Sequence, residues 1–590
     1  MRRLTTVSLA AALGLLAQPS AAQDKYALSM FHFNLQYVAG GMVGFGVEDP
    51  KVDLDNDEVE DLIVTESFAP VVALYDKHPN WGVTLELQGY MLDVLAARHP
   101  SVLDDLRKLA KAGRAEVVSC HYSDLLYLAY PADVWKKSQD LTAATFKRHD
   151  VPLGSSLFCQ EGQSGMGLGS VMKPRGYQTM VWPKNLWSFQ HGDFDAQPLY
   201  DFGDVLMIAG AKDVNFDDGT TNVQVRWTFF DDGELLATND WNPYILENFK
   251  HDPAAVKKYE DKVADLENQG FAISTVQDYV AAVKDRVPHA TPPPLLDGTW
   301  QTPSHNVSKW LGTRGLWPGE RDNDVRTLGA IAYRELTAAE AAVKSAGLDA
   351  RAKLDSAWRM LALGMVTDAS GINPFRGEIE YGIAHEAEAL RIAREVIGDA
   401  KREAGMSRVC VAPAKDSMSA GQCSSTLTGQ ASDALVNIDV FSGDRTSESR
   451  WEKLDANTYR VVIDFGVSDS GQMEISATVP GKLEDELVTT RALEDDAPFT
   501  YKRSDFTFEE FHLPTPTGLV SLGGGRFLVL DQAYARLAPR ITRDSGDVVL
   551  RDQSQNDEEP VTWVFYVYEG TAAEALALAH EVNVKREVSR

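Results

Sequence analysis

From about residue 25 to residue 285 the apolar positions follow two rhythms that take turns. Short continuous apolar runs, bounded by Gly, Pro, Asn or Asp, read as buried strands over residues 27–33, 83–88, 115–120, 156–161, 179–182 and 235–239. Between them, apolar residues recur every three or four positions, which predicts helices over 58–77, 102–112, 132–148 and 254–268. Alternating strand and helix predicts a parallel sheet with helices outside it, closed as a barrel or open and doubly wound.

The pattern then changes twice. A Pro-rich joint, Thr291-Pro292-Pro293-Pro294, leads into the loop-like stretch DGTWQTPSHNVSKWLG at 297–312. Beyond it Leu328, Ile331, Ala332 and Leu336 share one helical face, as do Leu354, Trp358, Leu361 and Met365, and a third helix is predicted over about 383–397. This reads as a small helical bundle leaning on the sheet. From about residue 407, runs at 434–441, 458–465, 472–479 and 561–567 alternate or are β-branched, with Gly, Asp and Ser between them. They predict an antiparallel β-sandwich.

Polar residues decide between barrel and open sheet. His32, Asn34, Gln36, Glu86, Gln88, Glu116, His121, Glu161 and Asp240 all fall within or just after apolar runs. So many polar groups at strand ends would be costly unless they met in one wet mouth, as the C-terminal strand ends of a (β/α) barrel do. The expected fold class is therefore α/β: a distorted (β/α)7-type barrel over 23–296, a helical domain over 297–405 completing the cleft, and a β-sandwich-like domain over 406–590.

Residues 1–22 stand outside this scheme. Arg2 and Arg3, the apolar stretch Leu9–Leu16 and Ser20-Ala21-Ala22 have the order of a secretory signal peptide, which predicts export to a periplasm or beyond the cell. No later stretch is long and apolar enough to cross a membrane. The formal charge of −29 argues against nucleic acid and anionic membranes as partners. An exported chain permits disulfides, and Cys410 and Cys423, flanking a Ser/Gly/Ala-rich loop, are the candidate pair. Cys120 and Cys159, at the ends of two predicted strands, read as small buried residues, with a bridge as the alternative.

Two carboxylates stand out as chemistry. Glu161, in SSLFCQEGQSG, and Asp240, in LLATNDWNPY, each end an apolar run. Facing carboxylates beside aromatic rings are what glycosidic cleavage needs: one attacks or stabilises the anomeric centre, and the other protonates the departing oxygen. The plain alternatives are a structural salt bridge for Glu161 and a turn or helix cap before Pro243 for Asp240. In GRAEVVSCHYSDLL, Glu116 binds a sugar hydroxyl or is a charge satisfied inside the barrel, with His121 and Asp124 just beyond it. In FHFNLQY, His32, Asn34 and Gln36 form a hydrogen-bonding row suited to sugar hydroxyls. No HxH, HxxxH or HExxH spacing points to zinc, and there is no G-x-S-x-G nucleophile elbow. The stretch GMGLGS at 165–170 has no P-loop lysine and reads as a loop near Glu161.

Taken in order, these stretches resemble glycoside hydrolase family 57 over roughly residues 25–400. FHFNLQY stands at the family's opening strand, VTLELQGYMLDVL at its second strand and helix, GRAEVVSCHY at its Gly-x-x-Glu motif, LFCQEGQS at its nucleophile motif, ATNDWNPY at its acid/base motif and DGTW at a Gly-Ser-Trp element. MVTDASGINPF stands where the helical region returns an aspartate, Asp368, to the pocket. The resemblance implies a retaining enzyme without a metal or other cofactor, acting on mostly α-linked glycans, with Glu161 as nucleophile and Asp240 as acid/base about 5–5.5 Å apart. It implies sugar contacts from His32, Asn34, Gln36, Glu116, His121, Trp182, Trp187, Trp241, Trp300 and Asp368. The usual HQP of the opening strand is absent, and Trp241-Asn242-Pro243-Tyr244 replaces the Glu-Leu/Phe-Gly that normally follows the acid/base, so a starch substrate does not follow. The expected function is an exported glycoside hydrolase or transglycosylase with a carbohydrate as partner. The rival classes are a zinc-dependent carbohydrate hydrolase, of deacetylase or α-mannosidase type, and a glycan-binding protein without activity.

Overall fold

A computed structural model describes residues 24–35, 37–41, 54–238, 249–299, 322–369, 375–405, 408–411, 430–431, 435, 437–468, 475–507, 509–513, 516–534, 539–552, 560–584 and 586–589. Among the described residues the first part holds ten strands: β1 Lys25–Phe33, β2 Val83–Leu87, β3 Ala115–Val118, β4 Ser156–Leu157, β5 Thr179–Pro183, β6 Tyr200–Phe202, β7 Val205–Gly210, β8 Val214–Asp217, β9 Asn222–Asp232 and β10 Ala272–Ser274. They form two sheets rather than one ladder. The first runs β3-β2-β1-β9-β8 with β10 also on β1, and the second runs β4-β5-β7-β6. Pairing is parallel except at the edges, where β8 and β6 turn back on β9 and β7. Parallel strands covered on both faces need apolar residues on both, and β2, β3 and β5 are buried along their whole length.

Two devices join the sheets where β3 meets β4. Gly154 donates its N–H to the Val117 carbonyl at 2.7 Å, and Ser156 donates to Glu116 Oε1 at 2.9 Å. A disulfide between Cys120 and Cys159 then ties the two strand ends together. This corrects the reading of these cysteines as merely small and buried. The bridge spans 39 residues of sequence, which by chain entropy corresponds to about 3–4 kcal/mol. Reducing it, or replacing both cysteines by serine, should lower unfolding stability by that order; urea melts with and without reductant would measure it. The Cys410–Cys423 pairing lies outside the described residues, because Cys423 does.

Three expected elements differ. The strand expected over 156–161 ends at Leu157, and Gln160–Gly162 is a tight helical turn. The strand expected over 235–239 is a helical turn, Glu234–Ala237. The true strand there is β9, eleven residues whose apolar positions are too widely mixed with Gln224, Arg226 and Thr228 to stand out as a run.

Helices Asp322–Ala346, Arg351–Gly364 and Arg376–Ala404 form the bundle. Its Leu336, Leu361 and Val396 share one core with Trp135, Met180 and Trp182 of the first part. The C-terminal part has antiparallel sheets of eight and five strands, and residues from both, such as Ile463 and Leu550, fill one core. Its hairpin tip, Ala492 and Leu493, is buried in the core shared by the first part and the bundle. Among the described residues no helix is long and apolar enough to cross a membrane.

Candidate active site

The strand register sets the site. His32 lies level with Glu86 on β2 and with Asp232 on β9. Its Nδ1 is 2.9 Å from Glu86 Oε2 and its Nε2 is 3.5 Å from Asp232 Oδ1. Burial opposes its charge, but the Glu86 hydrogen bond and the charges of Asp232 and Glu161 outweigh this and hold its pKa well above the usual histidine value. His32 thus bridges two strand-end carboxyl groups.

Around it the neighbouring strand ends add polar groups. Gln88, just past β2, donates to the Phe33 carbonyl at 2.7 Å and to Gln160 Oε1. His121 and Asp124 follow β3, and both are fully buried. Gln160 and Glu161 follow β4. Glu161 is only partly buried, and it holds φ 56° and ψ 25°, a left-handed conformation that costs a non-glycine residue energy. Strain at a partly buried carboxylate marks a position the surrounding fold enforces.

That enforcement is visible in the loop behind it. Ser164 and Gly298 exchange backbone hydrogen bonds at 2.9 Å. Asp297 accepts from the N–H of Met166 at 3.1 Å and of Ala492 at 2.8 Å. Gly165 passes so close that a Cβ there would sit 3.1 Å from Asp297 Oδ1. The disulfide holds the other end, so the Glu161 turn is fixed by the end of β3, the linker and the β-domain hairpin together.

The bundle supplies the facing wall. The loop after Arg351–Gly364 places Thr367 so that its hydroxyl donates to Asp124 Oδ2, while its N–H donates to the Asp124 carbonyl at 2.8 Å. Asp368 accepts weakly from Asn34 Nδ2 at 3.5 Å and from the Tyr37 N–H at 3.4 Å. One oxygen each of Asp124, Glu161 and Asp368 lies within 4.8 Å of the others. Burial, then Glu161 and Asp368, push Asp124 well above the usual carboxylate range, and burial pushes Asp368 up to about 6. Such a trio either shares protons or takes up a cation, whether a metal ion or an ammonium group.

Two further acids come from the turn after β9. Gly233 allows it: a Cβ there would meet the Phe33 ring at 2.4 Å. Asp232 on one side of this glycine has a side chain 47% exposed. Glu234 on the other side is buried, accepts from the Asn34 N–H at 3.0 Å, and is pushed up to about 8 by burial and then by Asp232. A carboxyl whose pKa is raised by folding contributes most stability below its unfolded value of about 4.5, and this is lost as pH rises through about 8. In thermal melts between about pH 6 and pH 9, the parent should therefore lose ground to Glu234→Gln as pH rises.

Of the sequence candidates, His32, Asn34, His121, Glu161 and Asp368 come together here. Glu116 does not. It pairs level with Thr84, two residues before Glu86 on the same strand, and its oxygens are taken by the N–H groups of Ser156 and Gln277 and by Thr84 Oγ1. Its carboxylate replaces the ladder missing between β3 and β4. Trp182 is fully buried in the core, edge-on to Phe202, and Trp187 stacks on Phe194, so neither offers a face to a sugar. Asp240, Gln36, Trp241 and Trp300 lie outside the described residues. The sequence reading passed over Asp232 and Glu234; their signal was the Asp-Asp-Gly turn that closes the Phe229-Phe230 run.

No family profile matches the chain, and no curated protein does. Solved structures do. An α-mannosidase from Enterococcus faecalis V583 superposes with a TM-score of 0.57 at 9% identity, covering 96% of this chain and 90% of that one. The fold is shared with this mannosidase. A glycosyl hydrolase family 38 protein from Enterococcus faecalis gives 0.52 at 9% identity, over 96% and 89% of the two chains. A GH57-type branching enzyme from Pyrococcus horikoshii matches more loosely, with a TM-score of 0.43 at 10% identity over 65% and 95%. The structural neighbours thus include both family 38 and family 57 glycoside hydrolases.

Proposed function

We propose that the protein is an exported retaining glycoside hydrolase or transglycosylase with Glu161 as nucleophile and Asp232 as acid/base. The observation that carries this reading is a group of unpaired polar atoms gathered at one mouth. Native interiors leave few buried polar atoms without a partner. Here Asn34 Oδ1, Glu86 Oε1, Gln88 Oε1, His121 Nε2, Asp124 Oδ1 and Gln160 Nε2 all lack one, and all belong to residues at or just beyond the C-terminal ends of β1 to β4. A ring of donors and acceptors around a carboxylate cluster suits a polyol.

In the reaction, a Glu161 oxygen attacks the anomeric carbon and forms an ester. The bond to the departing sugar oxygen breaks as Asp232 gives that oxygen its proton. Water, or a second sugar hydroxyl, then attacks the same carbon; its proton goes to Asp232 and the ester bond breaks. Asp232 is chosen because, of the described carboxylates at this mouth, it combines a strand-end position with wide exposure. Its neighbour His32 is held in place by Glu86 and by Asp232 itself. The signal-like N-terminus supports export. The test is a screen of α- and β-linked glycans with the product anomer followed by NMR. Retention of configuration is expected; inversion, or no cleavage across the panel, would count against the reading.

A further inference from the structure

The site's charge says more about its substrate. Among the described residues, the positive charge acting on Asp124, Asp368 and Glu234 is that of His32. His32 already has Glu86 and Asp232 as partners. At this mouth the unpaired buried atoms include five acceptors, Asn34 Oδ1, Glu86 Oε1, Gln88 Oε1, Asp124 Oδ1 and Gln163 Oε1, beside the amide donor Gln160 Nε2. His121, fully buried, turns an unpartnered Nε2 towards Asp124 Oδ1 at 4.0 Å. Among the described residues the free acceptors at this mouth therefore outnumber the free donors and the positive charge is that of His32, whereas a neutral sugar supplies donors but no charge.

We propose that the substrate carries a free ammonium group, as a 2-amino-2-deoxy sugar does, and that Asp124 and Asp368 receive it. The dimensions agree. Charge-assisted N–H···O bonds of about 2.8 Å around a tetrahedral nitrogen separate their acceptors by about 4.6 Å. The oxygens of Asp124, Glu161 and Asp368 lie within 4.8 Å of one another. In a 2-amino sugar the nitrogen sits on the carbon next to the anomeric carbon, two bonds from the reacting centre. An ammonium seated on Asp124 and Asp368 thus leaves that carbon before Glu161. The sugar's hydroxyls then donate to the amide acceptors of Asn34, Gln88 and Gln163. A single metal ion could satisfy the carboxylate trio but not acceptors spread over four strand ends. Asp124, clamped by the Thr367 hydroxyl and N–H, becomes the specificity residue.

This inference rests on the glycosidase reading but is tested by binding. The full chain, stripped with EDTA and dialysed, is titrated calorimetrically with glucosamine, galactosamine, N-acetylglucosamine and glucose near pH 6.5. At least one free amino sugar should bind about tenfold or more tighter than both glucose and the acetylated sugar. Asp124→Asn should erase most of that preference, and Asp368→Asn serves as a second variant. Equal affinities, no binding of either amino sugar, or a preference untouched in both variants would overturn the proposal. So would stoichiometric Zn²⁺ or Mn²⁺ in untreated protein whose removal abolishes sugar binding, since a metal would then be the cation. The parent's comparison of free and acetylated amines needs no variant to fold. Tight amino-sugar binding with full activity in Glu161→Gln would sink the catalytic reading alone. Cleavage of neutral glycans without amino-sugar preference would sink this one alone.

Discussion

Glu161→Gln should lower kcat on any glycoside the protein cleaves by about 10⁴-fold or more, while glycan affinity stays within about threefold. The amide keeps the size of the carboxylate and the strained turn, but it cannot form the glycosyl ester. The fold holds that turn from several sides, through the Cys120–Cys159 bridge, the Ser164–Gly298 exchange and Asp297, so the substitution should not move it. In Glu161→Ala the vacated space admits a small anion. Added azide should then restore turnover on an activated glycoside and yield the glycosyl azide of opposite configuration. Unchanged kcat in Glu161→Gln would make the residue structural.

Asp232→Asn should give the second-largest loss, about 10²- to 10⁴-fold on natural glycosides, whose leaving oxygen needs a proton. Aryl glycosides with acidic leaving groups need none, so their first step should stay nearly unchanged and the glycosyl-enzyme should accumulate. Asp240→Asn is the informative companion, because Asp240 lies eight positions after Asp232 and also follows an apolar run. If Asp240 is the acid/base, it is that variant which loses natural substrates and keeps the activated ones. Pre-steady-state kinetics on one aryl glycoside and one oligosaccharide distinguish the two.

The difference between these aspartates shows what the sequence could reveal. Strands such as β2 and β5, buried on both faces, are continuous apolar runs and were legible as strands. So was the gathering of His32, Asn34, Glu86, Gln88, His121 and Glu161, because polar residues at the ends of apolar runs are costly anywhere but a shared mouth. β9 was not legible: its neighbour β8 leaves it partly exposed, its residues mix, and the apolar pair Leu235-Leu236 beyond it mimics a strand. The sequence reading therefore settled on Asp240 and passed over Asp232. For Glu116 the sequence left two readings open, and the satisfied charge is the one its hydrogen bonds match. A glutamate within a strand looks the same in sequence whether it lines a pocket or bonds to the N–H groups of a gap between sheets. Trp182 is similar, since an aromatic ring in a strand does not declare which face of the sheet it joins. The role of Asp297 needed three distant segments to meet, and nothing local signals that.

The central claim is a covalent bond between sugar and Glu161. A 2-deoxy-2-fluoro glycosyl fluoride would replace the nitrogen proposed to bind Asp124, so the better trap is a 5-fluoro glycosyl fluoride retaining the 2-amino group. After incubation and peptic digestion, mass spectrometry should find one sugar added, on the peptide containing Glu161 and on no other. A trapped sugar on a different carboxylate, or rapid turnover with inverted product and no adduct, would contradict the account.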